Sequence, residues 1–227
     1  MLSEQQIERY SRQIILPQLG GRGQERLLSA KVAIVGRGEL ATAAALYVAA
    51  AGIGTLAIGA PELQSVLDGL NPDCHVSVLP APLTSERALE TAGRYEAVLA
   101  SGAAPGVCTA LNAACVARRT PLVWGDTAGP LGLVTVLAGD HPESHCYACV
   151  QSQVPRLLAG GDAAHALAEA AAAFIGTLQA TEAIKLLIGL DTNSAGRLLA
   201  YNAAAGTVGE VTVARDPRCR VCGASCA

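Results

Sequence analysis

Four of the eight cysteines lie in two C-x-x-C pairs, Cys146 with Cys149 and Cys219 with Cys222. Two such pairs can supply the tetrahedral shell of four thiolates that zinc prefers, each pair turning tightly around the metal. Four protein ligands leave no open coordination position, so the predicted zinc is structural and attaches the last segment to the body of the protein. Unrelated thiol motifs or a redox C-x-x-C remain alternatives, because the gap between the pairs is longer than in a compact zinc ribbon.

The other four cysteines lack this spacing. Cys226 is either a substitute ligand or a free thiol in the tail, and Cys74, Cys108 and Cys115 are predicted to be small core residues rather than nucleophiles. The N-terminus is polar and charged, unlike a secretory signal, so metal binding or catalysis is a more natural role for cysteine than disulfide formation. We therefore expect a cytoplasmic protein.

A glycine-rich loop follows the apolar run Val32–Val35 and precedes an alanine-rich helix. Backbone N–H groups at such a helix N-terminus can face a phosphate, whose charge the helix dipole favours. In a dinucleotide-binding unit, an acidic residue that holds the ribose would then follow the second apolar run, Thr55–Ile58. Gly59 stands there instead. The loop reads Gly36, Arg37, Gly38, Glu39, Leu40 and Ala41.

Short apolar segments alternate with helical ones along the first half of the chain, which is typical of βαβ units and a doubly wound parallel sheet. After Gly129 the pattern changes to further strands, which we expect to be antiparallel additions, with two helical runs, 163–174 and 177–188, between them. We predict one α/β domain spanning 1–227: a helical arm (1–30), a Rossmann-like half (31–128), and a mixed-sheet half with the zinc knuckle (129–227). The predicted parallel strands are 32–35, 55–58, 75–79, 97–99 and 121–124, and the helices between them are 43–51, 85–92 and 107–118.

Composition and charge exclude some functions. The net charge is −3 with scattered basic residues, so nothing indicates a nucleic-acid interface. The uncharged stretch from Leu40 to Pro61 is long enough to cross a membrane, but Gly52 and Gly54 interrupt it and most of its residues are alanine. A buried helix, a turn and a buried strand explain this stretch better than a membrane helix.

Several segments, spread in family order over nearly the whole chain, resemble the ThiF/MoeB/HesA family, the bacterial relatives of ubiquitin-activating enzymes. They include RYSRQIILPQLGG, LNPD, CYAC, IGTLQATEAIKLL and CRVC. The resemblance implies a dimer with a Rossmann-like fold and structural zinc. It also implies use of Mg-ATP to adenylate the C-terminal glycine of a ubiquitin-like sulfur carrier. Arg12 resembles the arginine that reaches the partner subunit's ATP, and Arg9 belongs to the same motif.

The chain departs from the family pattern at five places. Glu39 stands in the phosphate loop, where its carboxylate either takes the place of the ligand's charge or points outward while Arg37 holds the phosphate. Gly59 replaces the ribose acid, and the segment before Leu70-Asn71-Pro72 has lost its basic residues. The segment 98–106 lacks the family's magnesium aspartate, and the segment 155–174 lacks its cysteine nucleophile. A hard cation needs oxygen ligands, and adenylyl transfer needs the phosphate charge neutralised.

These departures predict a degenerate nucleotide site and doubtful binding of ATP and Mg²⁺. We therefore expect a pseudoenzyme that acts as a non-catalytic homodimer or heterodimer subunit, with Arg12 serving an active partner. The first alternative is an active adenylyltransferase for a carrier or peptide that uses rearranged residues such as Arg37, Glu62 and Asp126. The second is a peptide- or metabolite-binding module. Asp126 and Asp162 are otherwise interpreted as a turn residue and a helix N-cap, and His165 is a less favoured reactive candidate.

Overall fold

The computed structural model describes residues 1–137, 145–152, 154–157, 165–190 and 196–223. The chain begins with an arm of short helices: α1 (Glu4–Arg9), α2 (Ser11–Ile14) and α3 (Gly20–Ser29). The Ser3 hydroxyl accepts a hydrogen bond from the Gln6 N–H while the Gln6 side chain accepts one from the Ser3 N–H. This reciprocal cap defines the start of α1.

Within the described residues, eight strands form one sheet in the order β3-β2-β1-β4-β5-β6-β7-β8. Strands β1 to β5 are parallel, and each later strand pairs antiparallel with its predecessor. The mostly parallel α/β sheet with antiparallel C-terminal strands is thus confirmed. The strands are β1 (Lys31–Gly36), β2 (Thr55–Ile58), β3 (His75–Val78), β4 (Ala97–Ser101), β5 (Leu122–Ala128), β6 (Leu131–Leu137), β7 (Arg197–Asn202) and β8 (Thr207–Thr212).

Helices cover both faces of the sheet. One apolar core forms where α3, α4, α5 and α10 pack on one face, and a second forms where α6, α7 and α8 pack on the other. The buried strands are therefore apolar along their whole length, as expected for parallel strands. The remaining helices are α4 (Gly38–Ala50), α5 (Gln64–Leu70), α6 (Ser85–Arg94), α7 (Pro105–Arg118), α8 (Tyr147–Gln151), α9 (Val154–Leu157) and α10 (His165–Ile188).

The helix α10 corrects the prediction of two helical runs, because it continues through Gly176 without a break. A Cβ at Gly176 would lie 2.2 Å from the carbonyl oxygen of Leu40. This glycine therefore permits close packing of α10 on α4 rather than ending a helix. Among the described helices, α10 is long and apolar enough from Leu167 to Ile188 to cross a membrane, but it packs as a core helix.

The stretch from Leu40 to Pro61 forms the buried helix, turn and strand that its composition predicts. It comprises most of α4, a turn in which Gly52 has φ of +92°, and β2. The glycine turn lies tightly against the arm, since a Cβ at Gly52 would approach the ring of Tyr10 to 2.8 Å.

Candidate active site

A cleft of about 270 Å³ opens at the carboxyl ends of β1 to β4. In the strand order, β1 lies between β2 and β4, so the crossover connections that leave β1 and β3 run in opposite directions along the sheet. Open parallel α/β sheets bind ligands in the crevice that such a change of direction leaves at the carboxyl ends of the strands. Most of the cleft wall is apolar and suits a flat aromatic base. The larger apolar side chains that line it are Val35, Leu79, Pro80, Leu83 and Val107.

The glycines of the loop have geometry that other residues could not adopt. Gly36 has φ of +145°, and a Cβ there would lie 1.8 Å from the carbonyl oxygen of Ser101. Gly38 is the first residue of α4 and has φ of +78°. A Cβ added there would have no neighbouring atom within 4 Å. The ends of β1 and β4 therefore meet closely while the N-terminus of α4 remains open to a ligand.

The structure separates the loop residues that the sequence groups together. Gly36, Arg37 and Gly59 line the cleft, whereas Ala41 is a buried residue of α4. Glu39 is exposed in the first turn of α4 and is not among the described lining residues. A role for the Glu39 carboxylate in replacing or repelling a phosphate stays a prediction. Glu62 is exposed in the short helix Pro61–Leu63 and is also outside the lining.

A buried polar bridge supports the loop after β4, which forms one side of the cleft. Ser101 Oγ donates to Gln179 Oε1 at 2.8 Å, and Gln179 Nε2 donates to the carbonyls of Ala100 and Val123, each at 3.0 Å. The would-be Cβ of Gly125 lies 2.8 Å from the Gln179 side chain, so a small residue is needed there. Gln179 thus joins α10 to the ends of β4 and β5. Gln179 lies in the IGTLQATEAIKLL segment, but the sequence of that segment does not reveal the bridge.

Asp126 lies within β5, paired with Leu133, so its interpretation as a turn residue is wrong. Its carboxylate accepts a hydrogen bond from the Thr127 N–H at 2.8 Å, and burial raises its pKa. Asp126 is not among the described residues that line the cleft. Asp162 and Cys226 lie outside the described residues, as does the side chain of His165.

The N-terminal arm is attached to the body by a network centred on Asp73. Tyr10 Oη donates to Asp73 Oδ2 at 2.9 Å, Arg9 Nε lies 3.2 Å from the same oxygen, and Gln6 Nε2 donates to Asp73 Oδ1 at 3.1 Å. Asn71 Nδ2 donates to the Ala49 carbonyl at 2.7 Å and also reaches Tyr10 Oη. The Arg9-Tyr10 pair and the segment Asn71-Pro72-Asp73 therefore form one contact, through which the N-terminal arm docks on the body of the protein.

The two arginines predicted to act on a partner's nucleotide have different environments. Arg9 pairs with Asp73 of its own chain, which gives it a docking role. Arg12 is exposed in α2 and makes no hydrogen bond or ion pair with another described residue. Of the two, Arg12 is therefore the one available to a second subunit.

The two cysteine pairs come together at the C-terminal end of the fold. The Sγ atoms of all four lie within 4.8 Å of one another. Cys146 Sγ is 3.6 Å from Cys219 Sγ, and Cys149 Sγ is 3.7 Å from Cys222 Sγ. A tetrahedral site with zinc–sulfur bonds of about 2.3 Å places sulfurs about 3.8 Å apart. The donor set and its geometry therefore fit a zinc ion.

The remaining described cysteines are core residues, as predicted. Cys74 packs in the core beneath α4 and α5, and Cys108 and Cys115 pack in the core beneath α6 and α7. Burial raises the pKa of each thiol, to about 11 for Cys74 and Cys108 and to about 12 for Cys115. A neutral buried thiol is a poor nucleophile.

A family model described as the ThiF family matches residues 10–59 and 62–221. The chain belongs to the ThiF family. It is 34% identical to the sulfur carrier protein adenylyltransferase of Thermus thermophilus, over 97% of this chain and 92% of that protein. It is 33% identical to the sulfur carrier protein ThiS adenylyltransferase of Escherichia coli, over 99% of this chain and 98% of that protein.

Among solved structures, Escherichia coli MccB with ATP is similar, with a TM-score of 0.76 and 18% sequence identity. The match covers 95% of this chain and 74% of that chain. At this identity the likeness establishes the fold of this ThiF-family chain and nothing about its ligands.

The relatives correct the expectation of a pseudoenzyme. Proteins about one-third identical to this chain over nearly its full length are named as adenylyltransferases, so the interpretation as a non-catalytic subunit is wrong. The expectation depended partly on Glu39 blocking the phosphate site, and the structure places Glu39 outside the described cleft lining. The missing basic and acidic residues therefore do not by themselves make the chain a pseudoenzyme.

Proposed function

We propose that this ThiF-family protein is an ATP-dependent adenylyltransferase that activates the C-terminal carboxylate of a ubiquitin-like sulfur carrier. The observation that carries the proposal is the cleft at the β1–β4 edge, where the Gly36 and Gly38 loop opens the N-terminus of α4. The names of relatives that match almost end to end support the same chemistry.

In the proposed reaction, a carboxylate oxygen of the carrier attacks the α-phosphorus of ATP. A carboxylate–phosphorus bond forms, the bond between the α-phosphorus and the bridging oxygen breaks, and pyrophosphate leaves. The apolar wall formed by Leu79, Leu83 and Val107 suits the base, and the N–H groups at the start of α4 suit the phosphates. Exclusion of water by this wall would protect the acyl-adenylate from hydrolysis.

The four cysteines are proposed to hold a structural zinc ion. Cys146 and Cys149 lie at the start of α8, and Cys219 and Cys222 lie beyond β8. Together with Val116 of α7 they form a small buried cluster. Zinc bound there would supply a cross-link between the C-terminal segment and the second core, remote from the nucleotide cleft.

A homodimer is the assembly that the surface supports. A groove of about 330 Å³ beside α2, α4 and α10 is lined by apolar residues, among them Leu16, Leu19 and Ile184. Tyr47, which lines the groove, is 55% exposed, and Ile15, next to Leu16 in the chain, is 76% exposed. Large apolar side chains left in contact with water are typical of surfaces that bind another protein. Arg12 lies in the same arm, so a second copy seated on this surface would bring Arg12 close to another subunit.

A cytoplasmic location remains a prediction.

The experiment is ATP–pyrophosphate exchange with the zinc-loaded protein and a ubiquitin-like carrier ending in Gly-Gly. Exchange that depends on the carrier is expected. The matched control is the same carrier without its last glycine, which should give none. Binding of ATP without carrier-dependent exchange would favour a binding module and contradict the proposed reaction.

A further inference from the structure

We infer that Arg37 provides the charge that holds the ATP phosphates in this chain, in place of basic residues elsewhere around the cleft; this inference rests on the proposed function. Arg37 directly precedes α4 with an extended backbone (φ −148°, ψ 174°). It lines the cleft between the two loop glycines. Its place in the chain therefore puts a cation beside the backbone N–H groups that a phosphate would contact.

The loops around the cleft contain no other lysine or arginine. None occurs from Gly59 to Thr84, which includes the loops after β2 and β3, and none occurs from Val98 to Ala117, which includes the loop after β4. ATP carries several negative charges, and adenylyl transfer moves charge onto the leaving pyrophosphate. Among the residues of these four loops, Arg37 is the one that can compensate that charge through its side chain.

Arg37 is also uncommitted in the part of the chain that the structure describes. It is exposed and makes no hydrogen bond or ion pair with another described residue. Several other arginines have partners: Arg9 pairs with Asp73, Arg26 donates to the Ile188 carbonyl, and Arg87 donates to the Pro82 carbonyl. A guanidinium with unused donors beside a helix N-terminus matches the geometry of a phosphate, to which it can donate two parallel hydrogen bonds.

The apolar wall of the cleft and Arg37 have separate roles in this proposal. The apolar wall contacts the base, so it contributes equally to the binding of ATP and adenosine. Arg37 contacts the phosphates, so its contribution should appear with ATP and disappear with adenosine. It should also weaken as salt rises, because added ions screen an exposed charge pair.

The test is calorimetric titration of the full-length, zinc-loaded protein and its Arg37→Ala and Arg37→Lys variants with Mg-ATP and with adenosine. Arg37→Ala should weaken ATP binding about 10- to 100-fold and leave adenosine binding unchanged. The ATP affinity of Arg37→Lys should lie between those of the wild type and Arg37→Ala, since lysine keeps the charge but lacks the planar guanidinium that donates two parallel hydrogen bonds. The matched control is Arg118→Ala. It removes an exposed arginine at the C-terminal end of α7, whereas the N-terminal end of this helix borders the cleft.

Equal ATP affinity for the wild type and Arg37→Ala would overturn the inference and leave the proposed function standing. Equal loss of ATP and adenosine binding would also overturn it, because it would indicate a distorted cleft rather than a lost phosphate contact. ATP binding that depends on Arg37, without pyrophosphate exchange, would support the inference and contradict the proposed reaction. No ATP binding to the wild type would overturn both.

Discussion

The hydroxyl of Ser101 at the end of β4 donates to the side-chain carbonyl of Gln179 in α10 across 2.8 Å, and both side chains are fully buried. The amide nitrogen of Gln179 satisfies two more backbone carbonyls, one in β4 and one in β5. Helix α10 therefore helps to determine where the loop after β4 begins, and that loop borders the candidate cleft. A single buried side chain links the core to the candidate site.

Replacing Gln179 with methionine should destabilise the protein by about 2–4 kcal/mol, because it leaves buried carbonyl and hydroxyl groups without partners. The measurement is urea unfolding followed by circular dichroism. The matched control is Gln18→Met, which changes an exposed glutamine in the arm and should shift the free energy of unfolding by less than about 0.5 kcal/mol. Equal effects of the two substitutions would contradict the role of the buried bridge.

Gly36→Ala should abolish nucleotide binding. The added Cβ would clash with the Ser101 carbonyl at 1.8 Å, and the φ of +145° is one that alanine rarely adopts. ATP binding by calorimetry and folding by circular dichroism would be measured together. Gly69→Ala is the matched control, because its Cβ would meet nothing within 4 Å and alanine favours the helix in which it lies. Unchanged ATP binding by a folded Gly36→Ala protein would contradict the placement of the phosphate site.

Glu39→Gln should change the affinity for ATP by less than about threefold, since the Glu39 carboxylate is exposed and solvent screens it from the cleft. This outcome would be measured in the same titrations as the Arg37 variants. A gain of tenfold or more in affinity would show that Glu39 repels the phosphates, as the sequence suggests.

Tyr10→Phe should destabilise docking of the arm and also change how stability depends on pH. Burial raises the pKa of Tyr10 to about 12 from a usual value of 10.0, so the folded state keeps the phenol proton at pH values where the unfolded state loses it. This contribution to stability is complete below pH 10 and is lost as pH rises towards 12. Between pH 10 and pH 12, the free energy of unfolding of the wild type should therefore fall by up to about 2 kcal/mol more than that of Tyr10→Phe.

The measurement is urea unfolding of the wild type and Tyr10→Phe at several pH values from 8 to 11.5. Because Cys74 and Cys115 also have raised pKa values, both proteins should lose stability in this range, and the wild type should lose more. Parallel curves for the two proteins would contradict the assignment to Tyr10.

Zinc content should equal about one ion per chain by elemental analysis, and Cys219→Ser should reduce it strongly because one ligand of the proposed tetrahedral site is lost. Chelation should expose the C-terminal segment to limited proteolysis while leaving residues before Cys146 protected. Cys74→Ala, which changes a buried cysteine away from the knuckle, should keep its zinc. Zinc retained by Cys219→Ser at the wild-type level would contradict the proposed ligand set.

Tyr47→Asp should convert the proposed homodimer to a monomer, because it places a charge on the exposed apolar surface beside α2 and α10. Sedimentation velocity of the wild type and variant measures this directly. Val66→Asp is the control, since it adds the same charge at an exposed apolar side chain of α5, outside the groove lining. A wild-type protein that sediments as a monomer would contradict the dimer.

Local patterns predicted most of the fold because parallel strands here are short apolar runs bounded by glycines. The strand Thr55–Ile58 has the predicted bounds, and His75–Val78 ends one residue before the predicted end. The prediction failed at Gly176, where only the approach of Leu40 explains a glycine within a helix. Sequence also could not orient Glu39 or Arg37, because side-chain direction at the start of a helix depends on the loop glycines and on neighbouring strands.

The cysteine cluster was predictable because zinc chemistry restricts both residue type and spacing. The cleft was only partly predictable. Its loop glycines follow a known pattern, but Leu79, Leu83 and Val107 come from segments that are distant in sequence and meet only when the strand order is known. The Asp73 network likewise joins the arm to a turn more than sixty residues away.

The most direct test of the proposed adenylation is mass spectrometry of a Gly-Gly-ended carrier incubated with the zinc-loaded protein and Mg-ATP. The mass of the carrier should increase by one adenylyl group at its C-terminal carboxylate, with a strongly reduced yield for Arg37→Ala and an unaltered yield for Arg118→Ala. A wild-type protein that binds ATP and the carrier but forms no adenylate would contradict the proposed reaction.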